Sequence, residues 1–278
     1  MTAAASRRAP QAGARPRRMR LDAWLHARGM AESRQKARAL IMAGRVRVEG
    51  AASAKPGTAV APDARIELLP GPRHVGRGAL KLEGALDAFG IDPTGRVALD
   101  VGASTGGFTE TLLARGAARV YAVDVGRAQL HEKLRCDPRV VALEKLNARA
   151  LSQREVPEPC GLAVMDVSFI SVLKILPALP ALLAPDADLV TLVKPQFEVG
   201  RSQVGRGGIV SDPALQLEAL SRVARSARDE LGYAVLGACA SPITGAQGNR
   251  EFFLHLRHGR PGLDLPGLDA ALRRAVAP

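Results

Sequence analysis

The sequence predicts an α/β protein, a doubly wound sheet of seven strands with an antiparallel edge, preceded by a small α+β domain. Three observations lead there. From about residue 80 onward, short apolar runs alternate with helical segments, the order that buries a parallel sheet between helix layers. A glycine-rich stretch, DVGASTGGF at 100–108, falls where one such strand gives way to a helix. The charge is also segregated: residues 1–82 hold 17 Lys and Arg against 5 Asp and Glu, whereas 83–278 hold 22 of each. A neutral domain joined to a basic one implies a polyanionic partner held by the basic one.

A chain of 278 residues has room for one large domain and one small one. Its hydrophobic fraction of 47% suits a packed core, and with only 3% aromatic residues Ala, Val and Leu must fill it. No run approaches the roughly 18 apolar residues of a membrane span, so no stable membrane association is expected. Residues 1–19 are rich in Arg and Ala and free of acids, and read as a basic, disordered extension. A transit peptide, a nucleic-acid-binding arm and a start site upstream of Met19 fit that composition equally. Cys136, Cys160 and Cys239 are isolated, which supports neither a disulfide framework nor a zinc site. The reducing cytoplasm is the expected compartment.

Residues 20–69 begin with Leu21, Trp24 and Leu25 at helical spacing, in a first helix that should stop at Gly29. Ser33 is placed to cap a second helix, with Ala37, Leu40 and Ile41 inward and Arg34, Lys36 and Arg38 on the polar side. Gly44 is a C-terminal stop. Residues 45–49 and 65–69 each alternate like strands and form a small hairpin. Residues 70–79, with two prolines and three glycines, read as a linker. In the larger domain, 80–260, strands are expected at 96–101, 119–124, 140–143, 161–166, 188–193, 234–238 and 251–256. Helices are expected near 80–89, 107–115, 129–135, 171–183 and 213–231. Residues 261–278 are left as a C-terminal tail.

The glycine-rich turn sits at the carboxyl end of the first strand, where backbone N–H groups and a helix dipole collect. Its spacing differs from the pyrophosphate-binding fingerprint, and a carboxylate, Asp100, stands at its head. That carboxylate would repel a pyrophosphate but attract the sulfonium and ammonium of S-adenosylmethionine. About twenty residues on, the second strand ends in Asp124, as expected of an acid that holds the two ribose hydroxyls of an adenosine. The cofactor-binding candidates on the turn and second strand are Asp100, Gly102, Ser104, Gly106, Gly107, Phe108 and Asp124. The chain thus reads as a methyltransferase. Three further strand boundaries carry charge: Asp166 ends the fourth strand, Lys194 ends the fifth and Glu251 begins the last. Lys81 lies on the helix leading into the sheet. Buried charges must pair, and two lysines alternating with two acids would do so.

The first fifty structured residues resemble the RNA-binding fold of the fourth small-subunit ribosomal protein. Arg20-Leu21-Asp22, Ser33-Arg34-x-x-Ala37-x-x-Leu40-Ile41 and Gly44-x-Val46-x-Val48-x-Gly50 carry the likeness. It makes Arg20, Arg34, Lys36, Arg38, Arg45 and Arg47 candidates for RNA phosphate contacts. Over residues 20–256 the chain resembles the TlyA family of ribosomal RNA 2′-O-methyltransferases, which join that module to an FtsJ-like catalytic domain. The motifs that carry this are Arg77-Gly78-Ala79-Leu80-Lys81-Leu82, the DVGASTGGF turn, Glu144-Lys145-Leu146-Asn147-Ala148-Arg149, Asp166-Val167-Ser168-Phe169-Ile170-Ser171, Lys194-Pro195-Gln196-Phe197-Glu198 and Gly248-Asn249-Arg250-Glu251. The resemblance implies a catalytic tetrad of Lys81, Asp166, Lys194 and Glu251, with Asp166 also near the cofactor. It further implies a cytidine ribose in large-subunit, and sometimes small-subunit, ribosomal RNA as the target, with ribosomal RNA or subunits as partner. At the place of the usual adenine-binding Asp this chain has Asn147. Some family members carry the label haemolysin.

A ribose 2′-hydroxyl must lose its proton as it attacks a methyl group, and Lys194 is the candidate to accept it or to steer the oxygen lone pair. A lysine serves as base only well below its usual pKa of ~10.4. Asp166 and Glu251 oppose that fall, so base and steering both remain open. The sulfonium already activates the methyl group, so no metal is expected. Methylation at cytosine C5 would need a cysteine nucleophile, and Cys160 precedes a strand instead of ending one. Amine methylation would favour an Asn/Asp-Pro-Pro-aromatic turn where Asp166-Val167-Ser168-Phe169 stands. A non-catalytic RNA-binding protein, or a membrane-active one, would have no use for the tetrad.

Overall fold

The computed structural model describes residues 18–52, 55–69 and 74–277, in two units, Met1–Arg73 and His74–Pro278. Most of the extension expected at 1–19, and residues 70–73 of the expected linker, lie outside the described residues. The last two linker positions belong instead to the first helix of the second unit.

The first unit runs through β1 (Met19–Arg20), α1 (Leu21–Ala27), α2 (Arg34–Met42), β2 (Val46–Val48), β3 (Ala51–Ala52), β4 (Ala59–Val60) and β5 (Ile66–Leu68). Ser33 caps α2 by accepting a hydrogen bond from the Lys36 N–H at 3.2 Å. Leu21, Trp24, Leu25, Ala37, Ile41, Val46 and Val60 form its core. The expected hairpin is one part of a three-stranded antiparallel sheet, in which β2 lies between β3 and β5. A separate pairing of β1 with β4 sets Met19 opposite Val60.

The second unit contains α3 (Gly78–Phe89), β6 (Val97–Val101), α4 (Gly107–Ala114), β7 (Arg119–Asp124), α5 (Glu132–Arg135), β8 (Val140–Glu144), β9 (Cys160–Met165), β10 (Leu183–Val193), α6 (Pro195–Glu198), α7 (Pro213–Asp229), β11 (Tyr233–Ala240), β12 (Phe252–His258) and α8 (Leu265–Val276). The sheet order is β11-β12-β10-β9-β6-β7-β8. β6 to β10 are parallel to one another, and β12 runs antiparallel between β10 and β11. Strand side chains alternate between faces. Accordingly Leu99 and Val101 enter one core while Ala98 enters another on the opposite face.

Three expectations are corrected. The helix expected at 171–183 is a series of 3₁₀ turns, Val172–Lys174, Leu176–Ala178 and Pro180–Leu182. Pro177 and Pro180 lack the N–H groups that a continuous helix would need there. The helix expected at 129–135 shrinks to Glu132–Arg135. The segment left as a tail at 261–278 contains α8, capped by Asp264 and burying Leu268, Ala271, Leu272, Ala275 and Val276 against β11 and α7.

β6 is flanked by β7 on one side and β9 on the other, so the strand order switches direction beside it and leaves a crevice at the carboxyl ends. Val101 pairs with both Val123 and Met165, which brings Gly102, Asp124 and Asp166 to that one edge. At the other end of the sheet Asp188 is buried. It pairs with Arg96 at 2.7 Å, His255 at 2.8 Å and Arg257 at 2.8 Å. Burial alone would raise its pKa, but the hydrogen bonds from His255, Arg96 and Arg257 outweigh burial and hold the carboxyl well below its usual range. His255 is thus committed to Asp188, and the neighbouring His258 packs edge-on against Tyr233. Among the described residues no helix is long and apolar enough to cross a membrane.

Candidate active site

The turn after β6 is shaped by glycine. Gly102 has φ +89°, and a Cβ there would run into the Asp166 carbonyl oxygen, so only glycine lets the two strand ends approach. Gly106, with φ +98°, is the capping residue just before α4, and Gly107 packs its backbone against Ala79 of α3. Asp124 fastens the turn from β7, accepting hydrogen bonds from the Ser104 N–H at 2.8 Å and the Gly126 N–H at 2.6 Å.

Asp100 lies beneath this turn and is fully buried. Its Oδ2 accepts a hydrogen bond from Thr109 Oγ1 at 2.6 Å, while Oδ1 has no protein partner. Burial pushes its carboxyl up to about 7, and the nearby acids Asp166 and Asp124 push the same way. Phe108 likewise turns inward, 6.2 Å from the Phe253 ring.

Two cavities open beside the turn and share Gly102, Ser104 and Asp166 on their walls. The larger, about 540 Å³, runs from Asp124, Val125, Leu146 and Asn147 to Ser168 and Phe169. The smaller, about 210 Å³, is bordered by Arg77, Gly78, Gly107 and Phe108. Of the residues expected to bind a cofactor, Asp100 and Gly106 support the turn from behind, and the others line a cavity. Asn147 is exposed at the rim and accepts a hydrogen bond from the Arg149 N–H at 3.1 Å.

The four residues expected as a tetrad come together. Lys81, from α3, donates to Glu251 Oε2 at 2.6 Å and lies 4.0 Å from Asp166 Oδ2. Lys194, just beyond β10, stands 2.6 Å from Asp166 Oδ1 and donates to Ser168 Oγ at 2.8 Å. Both lysines and Glu251 are buried, whereas Asp166 keeps an open side toward the cavities. Four elements distant in sequence therefore converge on one chain of alternating charge, which satisfies each buried ion.

Three contributors were not assigned from sequence. Ser168 is the hydrogen-bond partner of Lys194. Phe169 is 91% exposed, has φ +64° and packs 5.0 Å from Phe197. Glu198, buried, accepts hydrogen bonds from Ser171 Oγ at 2.7 Å and the Val172 N–H at 3.0 Å, joining the loops after β9 and β10. Burial raises its carboxyl above the ordinary value despite those bonds. Their position at strand ends was the available signal. Cys160 stands at the start of β9, away from this edge, fully buried with its thiol pushed up to about 12 by burial. It has none of the exposure or low pKa of a nucleophilic thiol.

In the first unit Arg20 and Arg34 converge on Asp22 at 3.0 and 3.5 Å. Arg34, Lys36 and Arg38 are exposed on α2, as is Arg47 on β2. Arg45 turns back to donate to the Leu69 carbonyl at 3.0 Å.

Residues 74–258 match the FtsJ-like methyltransferase family, and residues 19–66 match the S4 domain. The 16S/23S rRNA (cytidine-2′-O)-methyltransferase TlyA of Mycobacterium tuberculosis is 51% identical over 264 residues, spanning 94% of this chain and 98% of that one. Hemolysin A of Brachyspira hyodysenteriae is 42% identical over 85% of this chain and 99% of its own length. A solved structure from Streptococcus thermophilus, described as a candidate hemolysin, superposes with a TM-score of 0.69 at 39% identity, over 94% of this chain and 96% of that one. On these matches over most of its length, the chain belongs to the FtsJ-like methyltransferase family, among the TlyA proteins.

Proposed function

We propose that this protein transfers a methyl group from S-adenosylmethionine to the 2′-hydroxyl of a cytidine ribose in ribosomal RNA. The observation that carries the reading is the buried Lys81–Glu251 and Lys194–Asp166 pairing at the crevice. The relative from Mycobacterium tuberculosis, named for that reaction on 16S and 23S rRNA, supports the substrate.

The residues present fit the cofactor. Asp124 presents a carboxylate for a ribose diol, Val125 and Leu146 offer an apolar wall for a purine, and Asn147 an amide at the rim. The orphaned Asp100 oxygen, in a carboxyl poised near neutrality, is suited to a cation above the turn. When bound, S-adenosylmethionine supplies an electrophilic methyl group on a sulfonium. Lys194, beside Asp166, would meet the 2′-hydroxyl either as a neutral amine that takes its proton or as an ammonium that orients its lone pair while the proton leaves to water. The methyl group's bond to sulfur would break as the new O–C bond forms, and the uncharged thioether would leave. Asp166 fixes the Lys194 ammonium, and Glu251 holds Lys81 beside it, so the site reaches the transition state with its charges already arranged. The exposed Arg34, Lys36, Arg38 and Arg47 of the S4 domain hold RNA through its phosphates. The work is done where ribosomal RNA is, in the cytoplasm.

The test is incubation of the full-length protein with ribosomal subunits and methyl-labelled S-adenosylmethionine, followed by nucleoside mapping. Label in 2′-O-methylcytidine is expected. Label on a base, or none in RNA, would overturn the reading.

A further inference from the structure

Residues 241–250 join β11 to β12 and fold back over Glu251. The Ser241 N–H donates to the Glu251 carbonyl at 2.9 Å, and the Gly245 N–H to the Asn249 carbonyl at 2.8 Å. Inside this turn Gly245 is buried, and its φ lies outside the left-handed region. A Cβ on Gly245 would stand 2.5 Å from Glu251 Oε1 and 3.1 Å from its Cδ, with nothing else nearer than 3.7 Å. The absence of a side chain at Gly245 thus leaves the room that one carboxylate oxygen occupies, while the other, Oε2, faces Lys81 at 2.6 Å.

The turn is clamped on two sides. Arg77, the capping residue just before α3 and one turn ahead of Lys81, donates to the Thr244 carbonyl at 2.9 Å. Asn249 is 1% exposed and spends its whole amide on the neighbouring loop. Its Oδ1 accepts from the Val210 N–H, and its Nδ2 donates to the Gly208 carbonyl, both at 2.9 Å.

We infer that the 244–249 turn is a steric gauge for Glu251, and that Gly245 and Asn249 are positioning residues of the methyl transfer. The inference rests on the tetrad reading proposed above. A glutamate has three rotatable bonds and would otherwise sample several rotamers. Glu251 released from its place gives up Lys81, which lies 4.0 Å from Asp166 and then competes with Lys194 for that carboxylate. A methyl group at position 245 has only the end of Glu251 to displace, so the fold survives while the pair separates.

The test compares Gly245→Ala, Asn249→Ala, Asn249→Asp, Glu251→Gln and the double variant Gly245→Ala/Glu251→Gln in the full-length protein. Single-turnover methylation of ribosomal subunits, KM for subunits, S-adenosylmethionine affinity and melting temperature are read for each. Gly245→Ala is expected to lower turnover about 100-fold, the scale of a misplaced group, with KM, cofactor affinity and melting temperature unchanged. On the Glu251→Gln background it should add no further loss, because it acts through that side chain. Asn249→Asp, which keeps the bond from Val210, should retain more turnover than Asn249→Ala. Wild-type turnover in Gly245→Ala beside an impaired Glu251→Gln overturns the gauge and leaves the tetrad standing. Full turnover in Glu251→Gln overturns the tetrad reading and the gauge with it. A lowered melting temperature in Gly245→Ala, or additive losses in the double variant, would make the turn a general structural element and overturn the inference.

Discussion

Lys194 and Asp166 approach to 2.6 Å without sharing a hydrogen bond; the ammonium donates instead to Ser168. Charge attraction depends weakly on angle, whereas a hydrogen bond weakens steeply off its axis. Asp166 can therefore anchor the lysine while Ser168 sets its direction. The buried lysine is thus held between Asp166 and Ser168, both of which line the larger cavity.

Asp100 predicts a pH dependence whose sign follows from its raised pKa. Between the usual carboxylate value near 3.8 and about 7, the folded protein keeps a proton that the unfolded chain has lost. The associated stability is present below pH 3.8 and lost as pH climbs through about 7. Asp100→Asn should match the parent in melting temperature near pH 4 and exceed it near pH 8. A cation bound above the turn favours the ionised carboxylate, so S-adenosylmethionine binding near neutrality should release protons. Calorimetry in buffers of differing ionisation enthalpy measures that release. An unchanged pH–melting profile in Asp100→Asn would sink the assignment.

Much of this site was legible because parallel strands are short apolar runs that deliver one polar residue to a shared edge. Asp124, Asp166 and Lys194 could be placed by counting from Val123, Met165 and Val193. What lay outside the sequence pattern depends on loops meeting through space. Ser168 and Glu198 gain their partners only because the loops after β9 and β10 adjoin, and no periodicity announces it. The stretch 171–183 spaces its leucines like a helix, yet Pro177 and Pro180 break it into turns. The missed helix α8 did carry a signal: Asp264 as cap, Pro266 in the first turn, and Leu268, Ala271, Leu272 and Ala275 on one face.

Asp124→Ala should weaken the cofactor. The carboxylate would hold the ribose through charge-assisted hydrogen bonds of about 1.5–3 kcal/mol each. Losing even one raises Kd by roughly tenfold or more. The loss of the Ser104 and Gly126 hydrogen bonds adds to this by loosening the turn. Titration calorimetry with S-adenosylmethionine checks it, and parental affinity would remove Asp124 from the cofactor site.

Reversing the charges of Arg34, Lys36 and Arg38 together should weaken ribosomal RNA binding and flatten its salt dependence, by roughly one unit of log–log slope for each phosphate no longer neutralised. Cofactor affinity should stay unchanged. Binding titrations across salt concentrations decide this, and an RNA affinity indifferent to both salt and reversal would mean the basic helix has another use.

In the proposed reaction Lys194 acts on the 2′-hydroxyl in the transition state. Single-turnover methylation with Lys194→Ala and Lys194→Arg, on saturating RNA and cofactor, tests it most directly. Lys194→Ala is expected to lose about 100- to 10,000-fold in rate, the usual span of general acid–base catalysis, with both binding constants little changed. Lys194→Arg should fail nearly as badly, since a guanidinium keeps its charge but cannot give up a proton. Parental rates in Lys194→Arg would leave electrostatic steering as its role. Parental rates in Lys194→Ala would remove the residue from the reaction.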